Sequence, residues 1–389
     1  LAAIGYAGTL DTNDVNARNN PALGGNPAVI AVNKKTAVEG GTLLTNAVSQ
    51  SEQNKNAPNG LYGNDFTTGK DLAPSDFGAA TKFLSYTGSI SDSDWYSVRY
   101  NNIGNIFYSV DLKTTDLAET SLGIKNQKLS FTFTETVESI SAVYGKDLGN
   151  GLSLGTELAV NIYHKNQEVA ESKKAGKPLT AAYKLNSDSY LTLAVGGIYA
   201  VLPGHKISVS HKFASQRNDN ISNRDHSGSV VVEGSQNEDV PAETALGYVY
   251  SVNDALEIAA SYKATAGTSY DRDIDYSKGG TDTSVETSTL PNSTYGLAAS
   301  YKLTPEIELQ AYGTHTKGYR AAWNDINLTP DTWNKGFDFT QKGGNAQWTP
   351  TFFNGGSILF GFFNTKIVSA DNGFSLDATT TLVSYSHAL

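Results

Sequence analysis

The sequence predicts an all-β protein, a transmembrane antiparallel β-barrel. Three observations carry that expectation: residues alternate between apolar and polar with a period of two, tight turns face long polar stretches, and no segment could form a membrane-spanning helix. Only 17% of residues are charged and 39% are hydrophobic, while 37 Gly, 21 Tyr and 15 Phe sit among abundant Ser, Thr and Asn. No run of about 18 apolar residues exists, so a spanning helix is excluded. Aromatics at 10% are too many for a chain that cannot bury itself. The 29 basic against 39 acidic residues give a net charge of −10, which argues against a nucleic-acid partner because phosphate binding needs a concentrated basic surface. Cysteine is absent, which removes disulfides, thiolate metal sites and thiol nucleophiles together. The chain opens Leu1-Ala2-Ala3 without a basic segment and is read as a processed form whose signal peptide has been removed.

Alternation defines the elements. From Leu152 the apolar face carries Leu154, Leu158, Val160 and Ile162, with Ser153, Glu157 and Asn161 opposite, as a strand with one apolar side requires. Ala245 to Ser251 and Ala255 to Ala266 form a hairpin around Val252-Asn253-Asp254, with Leu256, Ile258, Ala260 and Tyr262 on one face. Tyr295, Leu297, Ala299, Tyr301 and Leu303 lead through Thr304-Pro305-Glu306 into Ile307, Leu309 and Ala311, a second hairpin of the same kind. The stretches Gln50 to Asp76, His164 to Pro178, Ser215 to Val240, Ala266 to Ser293 and Gly318 to Thr332 are polar and are read as long loops. Tight turns at one end and long loops at the other are the pattern of an outer-membrane barrel. Closure into a barrel is also the only all-β way to cross lipid, since an open edge leaves backbone groups unpaired.

The N-terminal segment contains Gly5-Tyr6-Ala7-Gly8 and then Asn19-Asn20-Pro21-Ala22. In these runs the chain resembles the FadL family of outer-membrane transporters for hydrophobic compounds. Further along, Ala73-Pro74, Tyr100-Asn101-Asn102-Ile103-Gly104, Thr114-Thr115-Asp116-Leu117, the hairpin Tyr144 to Tyr163 around Leu148-Gly149-Asn150-Gly151, Val240-Pro241-Ala242-Glu243 and Leu328-Thr329-Pro330-Asp331 follow in family order. The resemblance implies about 14 strands, beginning near Lys35, Phe77, Trp95, Leu117, Leu152, Tyr190, Lys206, Ala242, Ala255, Thr294, Glu306, Trp333, Thr349 and Phe374. It also implies two parts, an N-terminal plug inside the lumen over residues 1–34 and a barrel with long outer loops over residues 35–389. In two places the chain departs from the family pattern. The loop after Tyr163 is short where the family often inserts a helical hairpin that binds substrate, and the C-terminus is Leu389 rather than an aromatic residue.

By the same resemblance the expected function is passive import of hydrophobic small molecules, long-chain fatty acids or hydrocarbons. The steps are capture on loops, gating by the plug and lateral exit through a kinked strand, in the outer membrane of a Gram-negative bacterium. Asn19, Asn20, Pro21 and Ala22 would pin the plug turn, and Asn101, Asn102, Ile103 and Gly104 would form the kink that opens the wall. The same four residues also suit a short turn between two separate strands. Leu10, Val15, Leu23, Phe107 and Tyr108 are candidate substrate contacts, equally suited to face lipid. Arg99 and Lys212 could meet a ligand carboxylate or stand as plain lumen charges. The partners are then the apolar ligand, membrane lipid and lipopolysaccharide, with the chain a monomer. A porin for polar solutes and a structural or adhesive surface barrel are the alternatives.

Nothing in the sequence points to an enzyme or a cofactor. The six histidines, His164, His205, His211, His226, His315 and His387, show no metal-ligand spacing. Ser210 and His211 are adjacent strand residues and point to opposite faces, so they cannot act together. Tyr270 to Asp275 has alternating carboxylates but lacks the sixth-position Gly and distal Glu of a calcium loop, and is read as a solvated outer loop.

Overall fold

The computed structural model describes residues 25–51, 66–67, 76–114, 128–171, 180–224, 230–278, 283–289, 291–319, 337–353, 355–369 and 375–389. These residues form one closed antiparallel barrel of fourteen staves. The first five are β1 (Ala37–Ser51), β2 (Asp76–Ser89), β3 (Asp94–Thr114), β4 (Lys128–Gly149) and β5 (Leu152–Glu171). Five two-part staves follow: β6 (Thr180–Ser187 and Tyr190–Leu202), β7 (His205–Lys212 and Ser215–Arg224), β8 (Val230–Val240 and Glu243–Ser251), β9 (Leu256–Thr265 and Thr268–Lys278) and β10 (Thr283–Thr289 and Asn292–Lys302). The ring is completed by β11 (Ile307–Tyr319), β12 (Phe337–Trp348), β13 (Gly356–Ser369) and β14 (Ser375–Ala388). Each stave pairs with its neighbours in order, and Ala37↔Ala388 through Ser51↔Ser375 closes the last on the first. Phe66–Thr67 adds a short extra pairing to the far end of β3.

The expected strand count and most starts agree with this barrel, and four details differ. The expected starts at Leu117, Trp333 and Phe374 lie outside the described residues, and β4, β12 and β14 are described from Lys128, Phe337 and Ser375. The start expected at Thr349 is corrected: Thr351–Phe353 is a short 3-10 turn and β13 begins at Gly356, because Pro350 has no N–H for a ladder and Gly355 takes a positive φ of 87°. The polar stretches expected to be loops at Ser215 to Val240 and Ala266 to Ser293 are largely strand, including the residues Tyr270 to Asp275 read as a solvated outer loop, and His164 to Pro178 is strand as far as Glu171, so the loop expected directly after Tyr163 does not start there. They extend the barrel beyond the apolar band, where both faces can be polar and the alternation that marks a strand disappears. Finally, the turn reading of Asn101 to Gly104 is overturned, since β3 runs unbroken from Asp94 to Thr114.

Outward and inward faces separate cleanly. Leu84, Val98, Ile140, Leu158, Leu191, Val209, Leu246, Leu297 and Phe362 point outward and are exposed. Ser85, Ser97, Ser141, Ser153, Ser208, Ser300 and Ser384 alternate with them and are buried inside. An apolar exterior over a polar interior is the reverse of a soluble fold and fits a barrel whose solvent is lipid. Aromatic rings collect on the outside at the tight-turn end: Tyr86 with Tyr96 at 5.8 Å, His205 with Tyr250 at 4.6 Å, and Trp348, Phe352, Phe353 and Tyr385 in a chain of edge contacts. Such a girdle marks where an apolar band meets polar headgroups.

Candidate functional site: the lumen

At the tight-turn end, residues 26–33 lie inside the barrel. The short helix α1 (Val29–Asn33) packs on the inner faces of β3, β4 and β5, burying Ile30 and Ala31 against Trp95 and Val143, and Ala28 and Val29 against Ile198. The wall is cut away to receive it. A Cβ at Gly145 would stand 2.7 Å from Ile30, and Gly155 and Gly196 abut Pro27, Ala28 and Asn26 in the same manner. Asn26 fixes the approach, with its Nδ2 donating to the carbonyls of Gly197 (3.1 Å) and Val209 (2.8 Å) while its Oδ1 accepts from the Ala28 N–H (3.0 Å). Lys34 then leaves the lumen in a left-handed conformation (φ 48°) and pairs with Asp147 at 2.6 Å. At this aqueous rim the Lys34 ammonium, then the Gly149 N–H, hold the Asp147 carboxyl below its ordinary range.

Deeper in, the opposite half of the lumen is apolar. Leu43, Phe83, Val249, Ala259, Tyr312, Leu359, Phe363 and Leu382 come from seven staves and form one buried cluster, with Tyr312 and Phe363 rings 5.2 Å apart. Around it every inward Arg or Lys whose contacts are described has a carboxylate beside it. Arg99, 2% exposed, donates from Nη1 to Glu157 at 3.3 Å and keeps Nε buried without a partner. Ser141, opposite Arg99 in the ladder, has a buried hydroxyl that is likewise unpartnered. Lys263 lies 3.9 Å from Glu243, which Lys212 faces across the β7–β8 ladder. Higher up, Arg217 donates to Asp219 from Nε (2.7 Å) and Nη2 (3.0 Å) and to Glu238. Gln236 also donates to Asp219 (2.9 Å), and Asp219 is fully buried. The Asp219 and Glu238 carboxylates offset the cost of burying the Arg217 charge.

The residues expected from sequence fall into three groups. Leu10, Val15, Asn19, Asn20, Pro21, Ala22 and Leu23 lie outside the described residues. Arg99 and Lys212 both stand on the inner wall, on separate sectors. Asn101, Asn102, Ile103, Gly104, Phe107 and Tyr108 all belong to β3. There the register slips by one residue against both neighbours, between Asn102 and Asn105 opposite β2 and between Ile103 and Ile106 opposite β4, which is a β-bulge in a continuous strand. Sequence reasoning missed Asn26, Arg217, Asp219, Glu238 and Tyr163. Arg217 and Asp219, at i and i+2, were legible as a same-face pair, but only once their polar segment was known to be a strand.

No protein-family model matches the chain, and no curated protein matches it in sequence. Solved structures do. A FadL homologue from Pseudomonas aeruginosa superposes with a TM-score of 0.62 at 15% identity, over 99% of this chain and 96% of that one. The Ralstonia pickettii toluene transporter TbuX gives 0.63 at 12% identity, over 100% and 97%. The Pseudomonas putida toluene transporter TodX gives 0.60 at 13%, over 98% and 95%. Along its whole length, therefore, the chain has the FadL-type fold that the sequence resemblance implied.

Proposed function

We propose that this barrel is an outer-membrane channel of a Gram-negative bacterium that imports hydrophobic small molecules passively. The observation that carries the reading is the apolar cluster around Phe83, Tyr312 and Phe363 inside a barrel whose N-terminal segment occupies the tight-turn mouth. Apolar solutes gain nothing from an aqueous bore, whereas a lumen lined by aromatic and aliphatic side chains favours them directly. The toluene transporters of the same fold support this substrate class. In this reading residues 1–34 are the plug, with the turn at Asn19 to Ala22, and residues 35–389 are the channel. Outer loops capture the ligand, Leu10, Val15, Leu23, Phe107 and Tyr108 contact it, and the bulge at Asn101 to Gly104 is a lateral exit. If the ligand carries a carboxylate, Arg99 Nε and the Ser141 hydroxyl are donors for it.

The porin reading predicts the opposite behaviour in one experiment. Reconstituted protein should be nearly silent in single-channel recording while cells expressing it take up radiolabelled toluene faster than cells without it. Large steady conductance with no gain in toluene uptake would overturn the proposal.

A further inference from the structure

One sector of the inner wall holds buried donors with nothing to donate to. Among the described residues, Arg99 Nε, the Ser141 hydroxyl and Trp95 Nε1 have no hydrogen-bond partner, and none of the three residues is more than 7% exposed. Ser141 stands directly opposite Arg99 in the β3–β4 ladder, and Trp95 lies two inward positions along β3 toward the tight turns. The neighbouring hydroxyls are engaged elsewhere. Ser85, opposite Arg99 in the β2–β3 ladder, donates to Glu39 (3.5 Å), and Thr87 donates to Ser97 (3.0 Å). Glu157 accepts from Arg99 Nη1 (3.3 Å), which leaves the Nε edge of the guanidinium open. A buried donor left unbonded is costly, so facing donors of this kind point to an occupant that accepts.

The surroundings describe that occupant. Toward the tight turns, Ile30 and Ala31 cover Trp95 and Val143, so the patch ends at the N-terminal segment. In the other direction Phe83 stands one inward position beyond Ser85 on β2 and belongs to the apolar cluster that continues to Tyr312 and Phe363. Same-face residues two apart on a strand are separated by about 7 Å, so a molecule the size of one substituted ring lying on Phe83 can place a polar atom at Arg99. Arg99 and Glu157 already form a neutral pair. A ligand carboxylate would set a second anion beside Glu157 in a buried setting, where an uncompensated charge is costly. A neutral carbonyl oxygen avoids that cost, and its two lone pairs match the two facing donors.

We propose that the ligand of this lumen is an apolar molecule carrying one neutral carbonyl oxygen, an aryl ketone, aldehyde or ester, with the oxygen on Arg99 Nε and the Ser141 hydroxyl and the body on Phe83. This rests on the transport reading above and names its substrate class. Acetophenone and ethylbenzene are the probes, alike in size and differing by the carbonyl. Unlabelled acetophenone should inhibit protein-dependent uptake of radiolabelled toluene at about tenfold lower concentration than ethylbenzene, the factor one charge-assisted hydrogen bond supplies, and benzoate should inhibit less than acetophenone. Arg99→Lys keeps a cation for Glu157 without the Nε donor, and Ser141→Ala removes the hydroxyl; each should shrink the preference to about threefold or less. Binding is read apart from transport by the infrared band of acetophenone isotope-labelled at the carbonyl, which should lie at lower wavenumber on the purified parent than on either variant. Equal inhibition by acetophenone and ethylbenzene, stronger inhibition by benzoate, or a preference unchanged in both folded variants overturns the assignment while leaving transport standing. Absence of protein-dependent toluene uptake overturns the transport reading, and a carbonyl band unshifted between parent and variants then overturns the site as well.

Discussion

The guanidinium of Arg217 lies 3.9 Å above the ring of Tyr163, so a cation on β7 reaches an aromatic residue on β5 across the break in β6. The same arginine is tied to Asp219 and Glu238, and Tyr163 is tied to Ser187 through its N–H (2.6 Å). These contacts join the staves from within, beside the interruptions at 188–189 and 213–214.

Removing the cation should therefore be costly. Arg217→Met leaves Asp219 fully buried beside Glu238 without a counter-charge, and breaking a buried pair in this way typically costs about 3–5 kcal/mol. Urea titration of the lipid-reconstituted protein, followed by loss of the heat-modifiable band on a denaturing gel, measures it. Arg217→Met with Asp219→Asn should recover a substantial part of the loss; equal stability of single and double variants would refute the pairing. Tyr163→Leu removes the ring alone and should cost less, about 0.5–2 kcal/mol for a desolvated cation–π contact.

A second prediction concerns the segment inside the tight-turn mouth. Gly155→Val puts a branched side chain where Pro27 and Ala28 already sit, so the N-terminal segment must leave the wall while the barrel ladder is undisturbed. Conductance of the reconstituted variant should rise above that of the parent, and deletion of residues 1–33 should raise it further. An unchanged current in both would show that this segment does not limit the bore.

The Lys34–Asp147 pair gives a pH dependence whose sign is fixed. Asp147 has a folded pKa below its ordinary value of about 3.9, so its contribution is fully present above that value and is lost as pH falls through the lower folded pKa. The pair's contribution to stability, read by urea titration of the reconstituted protein, should thus be flat from neutral pH down to about 4 and be lost only in stronger acid. Asp147→Asn should lower stability at neutral pH and remove this part of the acid dependence.

The bulge in β3 is testable by removing its irregularity. Replacing Asn101-Asn102-Ile103-Gly104 by a regular alternating Val-Thr-Val segment, one residue shorter, should restore continuous register with both neighbours. If ligand leaves there, toluene binding in detergent should survive and uptake should fall about tenfold or more. Uptake at the parental rate in a folded variant would move the exit elsewhere.

What the sequence determined was set by contrast between faces. Leu152 to Ile162 alternates because one side of β5 meets lipid and the other a polar lumen, so period, strand and burial can all be read from the residues themselves. Tight turns such as Gly149-Asn150-Gly151 were legible for a similar reason, since positive φ values at all three positions demand those residues. The barrel and the end that carries the tight turns follow from such local facts, whereas the count of fourteen staves came from the family resemblance. Segments such as Ser215 to Arg224 gave no signal because both their faces are polar, and a strand without a contrast between faces has no period to detect. Only the closed sheet decided that these residues are strand, that interruptions at 188–189 and 213–214 turn Tyr190 and Arg217 inward, and that Arg217 meets Tyr163, 54 positions earlier in the chain. Those meetings depend on register and on accumulated one-residue slips across several staves, which no local stretch of sequence records.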